Sequence, residues 1–139
     1  MERVYLDANI FISFIKTEIG KPFKLMYRDV EDFLITCPGK YEIVLSDHTL
    51  AEIEKIVHYT PESTIKFFIN LDIKCEIVET SKNDVAMAKE LNKKGSHFSD
   101  ALHAAIALNK NCQFILTFNK KDFTFVENNI SVVEPADLT

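Results

Sequence analysis

Apolar residues along this chain alternate between short adjacent runs and helical spacing. Val4, Tyr5 and Leu6 form a β-favouring run that ends at Asp7 and reads as a buried strand. Ile10, Phe11, Phe14 and Ile15 then recur on one helix face. Gly20 interrupts that helix, and Pro22 suits the first turn of a second one with Phe23, Met26, Val30, Phe33, Leu34 and Cys37 on its apolar face. Pro38-Gly39 marks a turn. Residues 41–45 predict a second strand, with Ser46 to Thr49 as loop and cap. Leu50, Ile53, Ile56 and Val57 mark a third helix, and Pro61 opens a fourth carrying Ile65, Phe68 and Ile69. Residues 74–78 predict a third strand. Ser81-Lys82-Asn83-Asp84 has the Ser-x-x-acid form of a helix start, with Gly95 at that helix's end. Ser99 opens a strongly apolar helix over 101–108; residues 113–117 and 131–133 predict the last two strands.

Strands alternating with helices predict an α/β domain whose parallel sheet is covered on both faces. The 139 residues suffice for one domain, with no repeat or internal boundary. A 47% apolar and 27% charged composition is that of a soluble globular protein. No run reaches membrane-spanning length, and an acid interrupts the N-terminus before any signal-like stretch, so a cytoplasmic location is expected. Cys37, Cys75 and Cys112 are odd in number and lack Cys-x-x-Cys spacing; they read as reduced and mostly buried.

The candidate chemistry lies in four separated acids: Asp7, Glu52, Asp100 and Asp122. Each follows a predicted strand or sits in a first helical turn. Taken singly, each has an ordinary structural reading. Asp7 can cap a helix, Thr49-Leu50-Ala51-Glu52 fits a capping box, Asp100 suits a helix N-terminus, and Asp122 can be a solvated loop acid. Together they change the picture, because loops after the strands of an open α/β sheet converge on one crevice. Carboxylates gathered there repel one another unless a hard divalent cation such as Mg²⁺ or Mn²⁺ holds them. These four acids equal four of the five net negative charges, so the overall acidity does not exclude a nucleic-acid substrate; Lys93-Lys94 and Lys120-Lys121 remain as local basic pairs.

The motifs Leu6-Asp7-Ala8-Asn9-Ile10, Ser46 with Leu50-Ala51-Glu52-Ile53, Asp100-Ala101-Leu102-His103-Ala104-Ala105, and Thr117-Phe118-Asn119-Lys120-Lys121-Asp122-Phe123 resemble, in order, those of PIN-domain ribonucleases, and most nearly the VapC-type toxins of toxin–antitoxin pairs. The resemblance spans nearly the whole chain. It implies a three-layer α/β/α sandwich with a central parallel sheet of four to five strands. It also implies a Mg²⁺- or Mn²⁺-dependent endoribonuclease leaving 5′-phosphate and 3′-hydroxyl ends. Carried over by position, Asp7, Glu52 and Asp100 match the three family acids. Asp122 is taken as the fourth metal ligand, with Asn119 orienting. Asn9, Ser46 and Thr117 match polar residues beside the site. Ala8 replaces a Thr common in the family, which removes a hydroxyl but no ligand. The resemblance further implies an antitoxin partner and a homodimer. Antitoxin docking is expected near residues 11–34, where Phe11, Phe14 and Phe33 either fill the core or line a groove.

Two other readings start from the same residues. A phosphatase with Asp7 as covalent nucleophile wants a second acid two residues on, where Asn9 stands. A non-catalytic binding module on a degenerate PIN fold is disfavoured by retention of the three acids. His48, His58, His97 and His103 show no metal-ligand spacing; His103, three residues after Asp100, is read first as a packing or surface residue and second as a partner to the site. No glycine-rich phosphate loop exists.

Overall fold

The computed structural model describes residues 1–18 and 25–139. Five strands, β1 (Glu2–Leu6), β2 (Tyr41–Ser46), β3 (Lys74–Val78), β4 (Phe114–Leu116) and β5 (Ser131–Val133), form one parallel sheet in the order β3-β2-β1-β4-β5. The helices are α1 (Ala8–Ile15), α2 (Met26–Thr36), α3 (Asp47–Val57), α4 (Pro61–Asn70), α5 (Lys82–Asn92) and α6 (Phe98–Asn109). Short 3₁₀ helices cover Lys120–Val126 and Pro135–Leu138.

Alternation along each strand divides the core into two. Val4, Leu6, Ile43 and Leu45 face one side with Ile10, Phe11, Phe33, Ile53 and Phe68. Tyr5, Val44 and Ile115 face the other with Ala104, Ile106, Ala107, Phe123 and Val126. The side-chain period of two along a strand thus produces the α/β/α layering. Small residues on α6 bring that helix close to the sheet; Ala101, Ala104, Ala105 and Ala107 are fully buried. Asp84 completes a capping box with Ser81 at the start of α5 and also accepts from Asn109 Nδ2 at 2.7 Å, which ties α5 to the end of α6. At the opposite end of β1 from Asp7, the Arg3 guanidinium joins Glu42 of β2, Glu76 of β3 and the Lys110 carbonyl.

Several boundaries depart from the sequence reading. The helix start assigned to Gly20 and Pro22, with Phe23, lies outside the described residues; α2 begins at Met26. Helix α5 ends at Asn92, and Gly95 occupies a separate turn at φ +91°, a backbone region that favours glycine. Phe11 and Phe33 are core residues, whereas Phe14 borders a surface groove. All three cysteines are free; Cys37 and Cys112 are buried and Cys75 is half-buried. Burial pushes the Cys37 and Cys112 thiols up to about 11 and Cys75 to about 12, which leaves them protonated and unreactive at neutral pH. Among the described residues, no helix is long and apolar enough to cross a membrane.

Candidate active site

The direction of strand succession reverses between β1 and β4, which are neighbours in the sheet. Loops leaving the carboxyl ends of these two strands therefore face each other across a crevice. Asp7 is the first residue past β1, and its amide donates to the Leu116 carbonyl at 3.0 Å. It stands at the N-cap of α1 with extended backbone, yet its side chain makes no capping bond. The carboxylate turns instead to the residue just past β4, where Thr117 Oγ1 donates to Asp7 Oδ2 at 2.8 Å. The same hydroxyl accepts from Asn9 Nδ2 at 3.1 Å and from the Asn119 amide at 3.0 Å. One donation and two acceptances exhaust it, so Thr117 fixes Asp7, Asn9 and the Asn119 loop relative to one another.

Asp100 lies in the first turn of α6, and Asp122 in the 3₁₀ helix after β4. Burial lifts the Asp100 carboxyl above its ordinary value, and the charges of Asp122 and Asp7 lift it further. Asp7 is raised chiefly by burial, with the charge of Glu52 adding; His103 and the Thr117 hydrogen bond pull the other way. Asp7 thus responds to the charge of Glu52, and Asp100 to those of Asp122 and Asp7, but among the described residues the side chains whose ligand atoms lie within 4.8 Å of one another are His48, Glu52 and His103, not the four acids. Asp100 and Asp122 border a cleft of about 220 Å³ that also carries Lys94, His97 and Lys121. Asn119 is exposed; its amide donates to Thr117 Oγ1 and its carbonyl accepts the Asp122 amide at 3.0 Å.

Glu52 requires a correction. Helix α3 starts earlier than expected, with Ser46 as N-cap, its Oγ accepting the Thr49 amide at 3.0 Å. Thr49 is therefore inside the helix, and Glu52 forms no capping box with it. Glu52 Oε1 receives His103 Nε2 at 2.8 Å and lies 3.3 Å from His48 Nε2. Burial raises the Glu52 carboxyl, but the His103 hydrogen bond and the charges of His103 and His48, with a Ser99 hydrogen bond, outweigh it and hold it below the ordinary value. Behind His103, Nδ1 meets the Tyr5 hydroxyl at 2.5 Å, and that hydroxyl meets Ser46 Oγ at 2.8 Å. Ser46 is fully buried and acts as cap and network member behind the site.

The sequence reading missed the pairing of His48 with His103. The rings lie 4.4 Å apart between centroids, from helices on opposite faces of the sheet. A signal existed: His48 and Glu52 are spaced i, i+4, which places them on one helix face. His103 is 2% exposed, so it is no surface histidine. Replacing Ser46 by Ala removes a helix cap (about 1 kcal/mol) and strips a partner from buried Tyr5 (~1–2 kcal/mol). A loss near 2–3 kcal/mol is expected in urea unfolding, against less than about 1 kcal/mol for Ser46→Thr.

A sequence profile of the PIN domain matches residues 4–127. No curated protein sequence matches the chain. A toxin–antitoxin complex from Klebsiella pneumoniae is 22% identical with a TM-score of 0.64, covering 95% of this chain and 97% of that one. The DNA-bound VapBC of Salmonella typhimurium is 18% identical with a TM-score of 0.66, covering 97% and 99%. Mycobacterium tuberculosis VapC20, a sarcin–ricin-loop-cleaving toxin, is 15% identical with a TM-score of 0.60, covering 91% and 95%. With the matched span taking in nearly the whole chain, from β1 through the 3₁₀ helix after β4, the chain belongs to the PIN-domain family.

Proposed function

We propose that this protein is a Mg²⁺- or Mn²⁺-dependent endoribonuclease, the toxin of a toxin–antitoxin pair, acting in the cytoplasm. The observation that carries the reading is the shared cleft of Asp100 and Asp122; burial first, and then the charges of Asp122 and Asp7, raise Asp100, and burial and then the charge of Glu52 raise Asp7. Apposed carboxylates that oppose one another's ionisation stabilise no fold by themselves; they suit a hard cation with oxygen ligands. The donor set fits such an ion, since Asp7, Asp100, Asp122 and Glu52 all offer carboxylate oxygen.

In this reading Asp7, Asp100 and Asp122 hold the cation, with Glu52 as the fourth acid. When bound, the ion acidifies water and neutralises charge on the phosphate. Thr117 keeps Asp7 from rotating away, and Asn9 and the Asn119 amide hold Thr117 in turn. Lys94 and Lys121, on the walls of the cleft, give an RNA backbone positive contacts despite the protein's net charge of −5. The antitoxin reading is supported by an apolar groove of about 320 Å³ between α1, α2 and α4, bordered by Phe14, Leu34, Ile35, Phe67 and Leu71. Ile35 is 72% exposed there. The homodimer is retained with it as the expected assembly of the free toxin.

The test is thermal unfolding and RNA cleavage with and without Mn²⁺. Mn²⁺ at about 100 times its dissociation constant should stabilise the fold by about 2.7 kcal/mol. Cleavage should stop in excess EDTA and return with Mn²⁺. Undiminished cleavage in EDTA removes the cation from the mechanism; no thermal shift and no cleavage favour a non-catalytic binding module.

A further inference from the structure

We propose that His48, Glu52 and His103 form a second, distinct metal site that takes a zinc-class ion and withdraws Glu52 from the carboxylate cluster. The ion-binding half stands on the structure alone; the competition for Glu52 rests on the nuclease reading above.

Three observations carry it. First, one ligand atom from each residue lies within 4.8 Å of the other two, and both imidazole Nε2 atoms converge on a single oxygen, Glu52 Oε1, at 2.8 and 3.3 Å. A tetrahedral zinc ion with bonds of about 2.0–2.1 Å holds neighbouring ligand atoms about 3.3 Å apart, close to the two Nε2–Oε1 separations found here. Two imidazoles and a carboxylate favour zinc-class ions, whereas Mg²⁺ favours oxygen ligands alone.

Second, His103 is oriented from behind as a metal-bound histidine is. Its Nδ1 faces the buried Tyr5 hydroxyl, leaving Nε2 aimed at Glu52. The hydroxyl chain behind it can serve either tautomer. Without an ion, Nε2–H donates to Glu52 and the Tyr5 hydroxyl donates to Nδ1. With an ion on Nε2, Nδ1–H donates to Tyr5, Tyr5 to Ser46, Ser46 to Thr49 at 3.2 Å, and Thr49 to the Leu6 carbonyl at 3.1 Å. Every buried proton has an acceptor in both arrangements, so occupation strands no polar group.

Third, the site is reachable. The side chains of His48 and Glu52 are 27% and 33% exposed, and Ser99 Oγ, 2.9 Å from His48 Nε2, is the polar neighbour an arriving ion displaces.

The probe is Zn²⁺ alone, titrated by calorimetry into metal-free full-length protein, with imidazole nitrogen NMR as a second readout. One-to-one binding is expected, with the Nε2 signals of His48 and His103 shifted. His48→Ala, at a half-buried position, should weaken binding at least about 100-fold with an unchanged circular dichroism spectrum. Tyr5→Phe, which removes the hydroxyl facing Nδ1 and keeps the ring, should weaken it about 10–100-fold. Asp100→Asn should leave Zn²⁺ affinity within about threefold. Equal affinity in His48→Ala and parent, or loss in Asp100→Asn alone, overturns the proposal by placing zinc in the carboxylate cluster. In the cleavage assay, the Zn²⁺ concentration that halves Mn²⁺-supported activity should rise in His48→Ala by the same factor as its dissociation constant. Zinc bound through His48 in a protein that cuts no RNA with Mn²⁺ sinks the nuclease reading and leaves the site standing. Cleavage without His48-dependent zinc binding does the reverse.

Discussion

Asp7→Asn should abolish Mn²⁺-supported RNA cleavage while leaving the cation-free fold as stable as the parent or more so. The expected drop in kcat/KM is about a thousandfold or greater, equivalent to ~4 kcal/mol of transition-state stabilisation. On the nuclease reading, two effects separate here because Asp7 serves the site and not the fold. Its carboxyl is held above the ordinary value of 3.8, first by burial and then by the charge of Glu52. An acid whose folded-state pKa is raised contributes stability below the unfolded value, and that contribution is lost as pH rises through the folded value. At neutral pH the ionised carboxylate therefore costs stability. Asn keeps an oxygen for the Thr117 hydroxyl and carries no charge. Thermal unfolding without cations should give Asp7→Asn an equal or higher Tm at pH 7. The difference should shrink as pH falls through the raised pKa towards 3.8. Added Mn²⁺ should raise the Tm of the parent far more than that of the variant. A variant that cuts RNA at the parental rate, or that unfolds well below the parent at pH 7, would contradict this account of Asp7.

The largest stability loss is expected at Phe11, only four residues further on. Phe11 is 2% exposed and lies edge-on to Phe67 at 5.2 Å between centroids and to Tyr59 at 5.3 Å, with Phe68 at 5.9 Å. A void beside it is about 10 Å³ and lined by apolar side chains. Such a core has no slack to refill the space of a phenyl ring. Phe11→Ala should cost about 3–5 kcal/mol, through lost burial and the cavity left behind. For a chain of this size that corresponds to a Tm lower by roughly 10–20 °C. Urea unfolding gives the free energy directly, and a loss under about 1.5 kcal/mol would mean that α1 is less firmly seated than its ring contacts indicate. Because α1 begins immediately after Asp7, the variant should lose cleavage on mild warming while the parent retains it.

Most of the architecture was legible because its signals are local. β3 and β5 coincide with their apolar runs. Pro61 stands at the first position of α4 behind a Thr60 cap, and Ser81 and Asp84 form the capping box their spacing announced. The reversal beside β1 follows from general rules of parallel sheets, and it places Asp7 and Thr117 together. What failed was decided by tertiary contacts. Ser46 and Thr49 are both plausible caps for one helix in sequence. Ser46 takes the role, and its hydroxyl also engages Tyr5, a residue 41 positions away. The freed Glu52 then meets two histidines, one from its own helix and one from α6, and no sequence period links those helices. The 3₁₀ helices went unread because their short turns carry little periodicity, although Glu134 and Asp137 form a capping box around Pro135.

The Thr117–Asp7 hydrogen bond joins positions 110 residues apart. During synthesis, the ribosome releases Asp7, Glu52 and Asp100 well before it releases β4, the strand that must lie beside β1. A nascent chain at that stage holds three of the four acids without the hydroxyl that locks the first of them. Closing so long a loop comes late and costs entropy that only later contacts offset. On the nuclease reading proposed above, cutting competence therefore waits for β4, and fragments terminated before it remain harmless to the message being read.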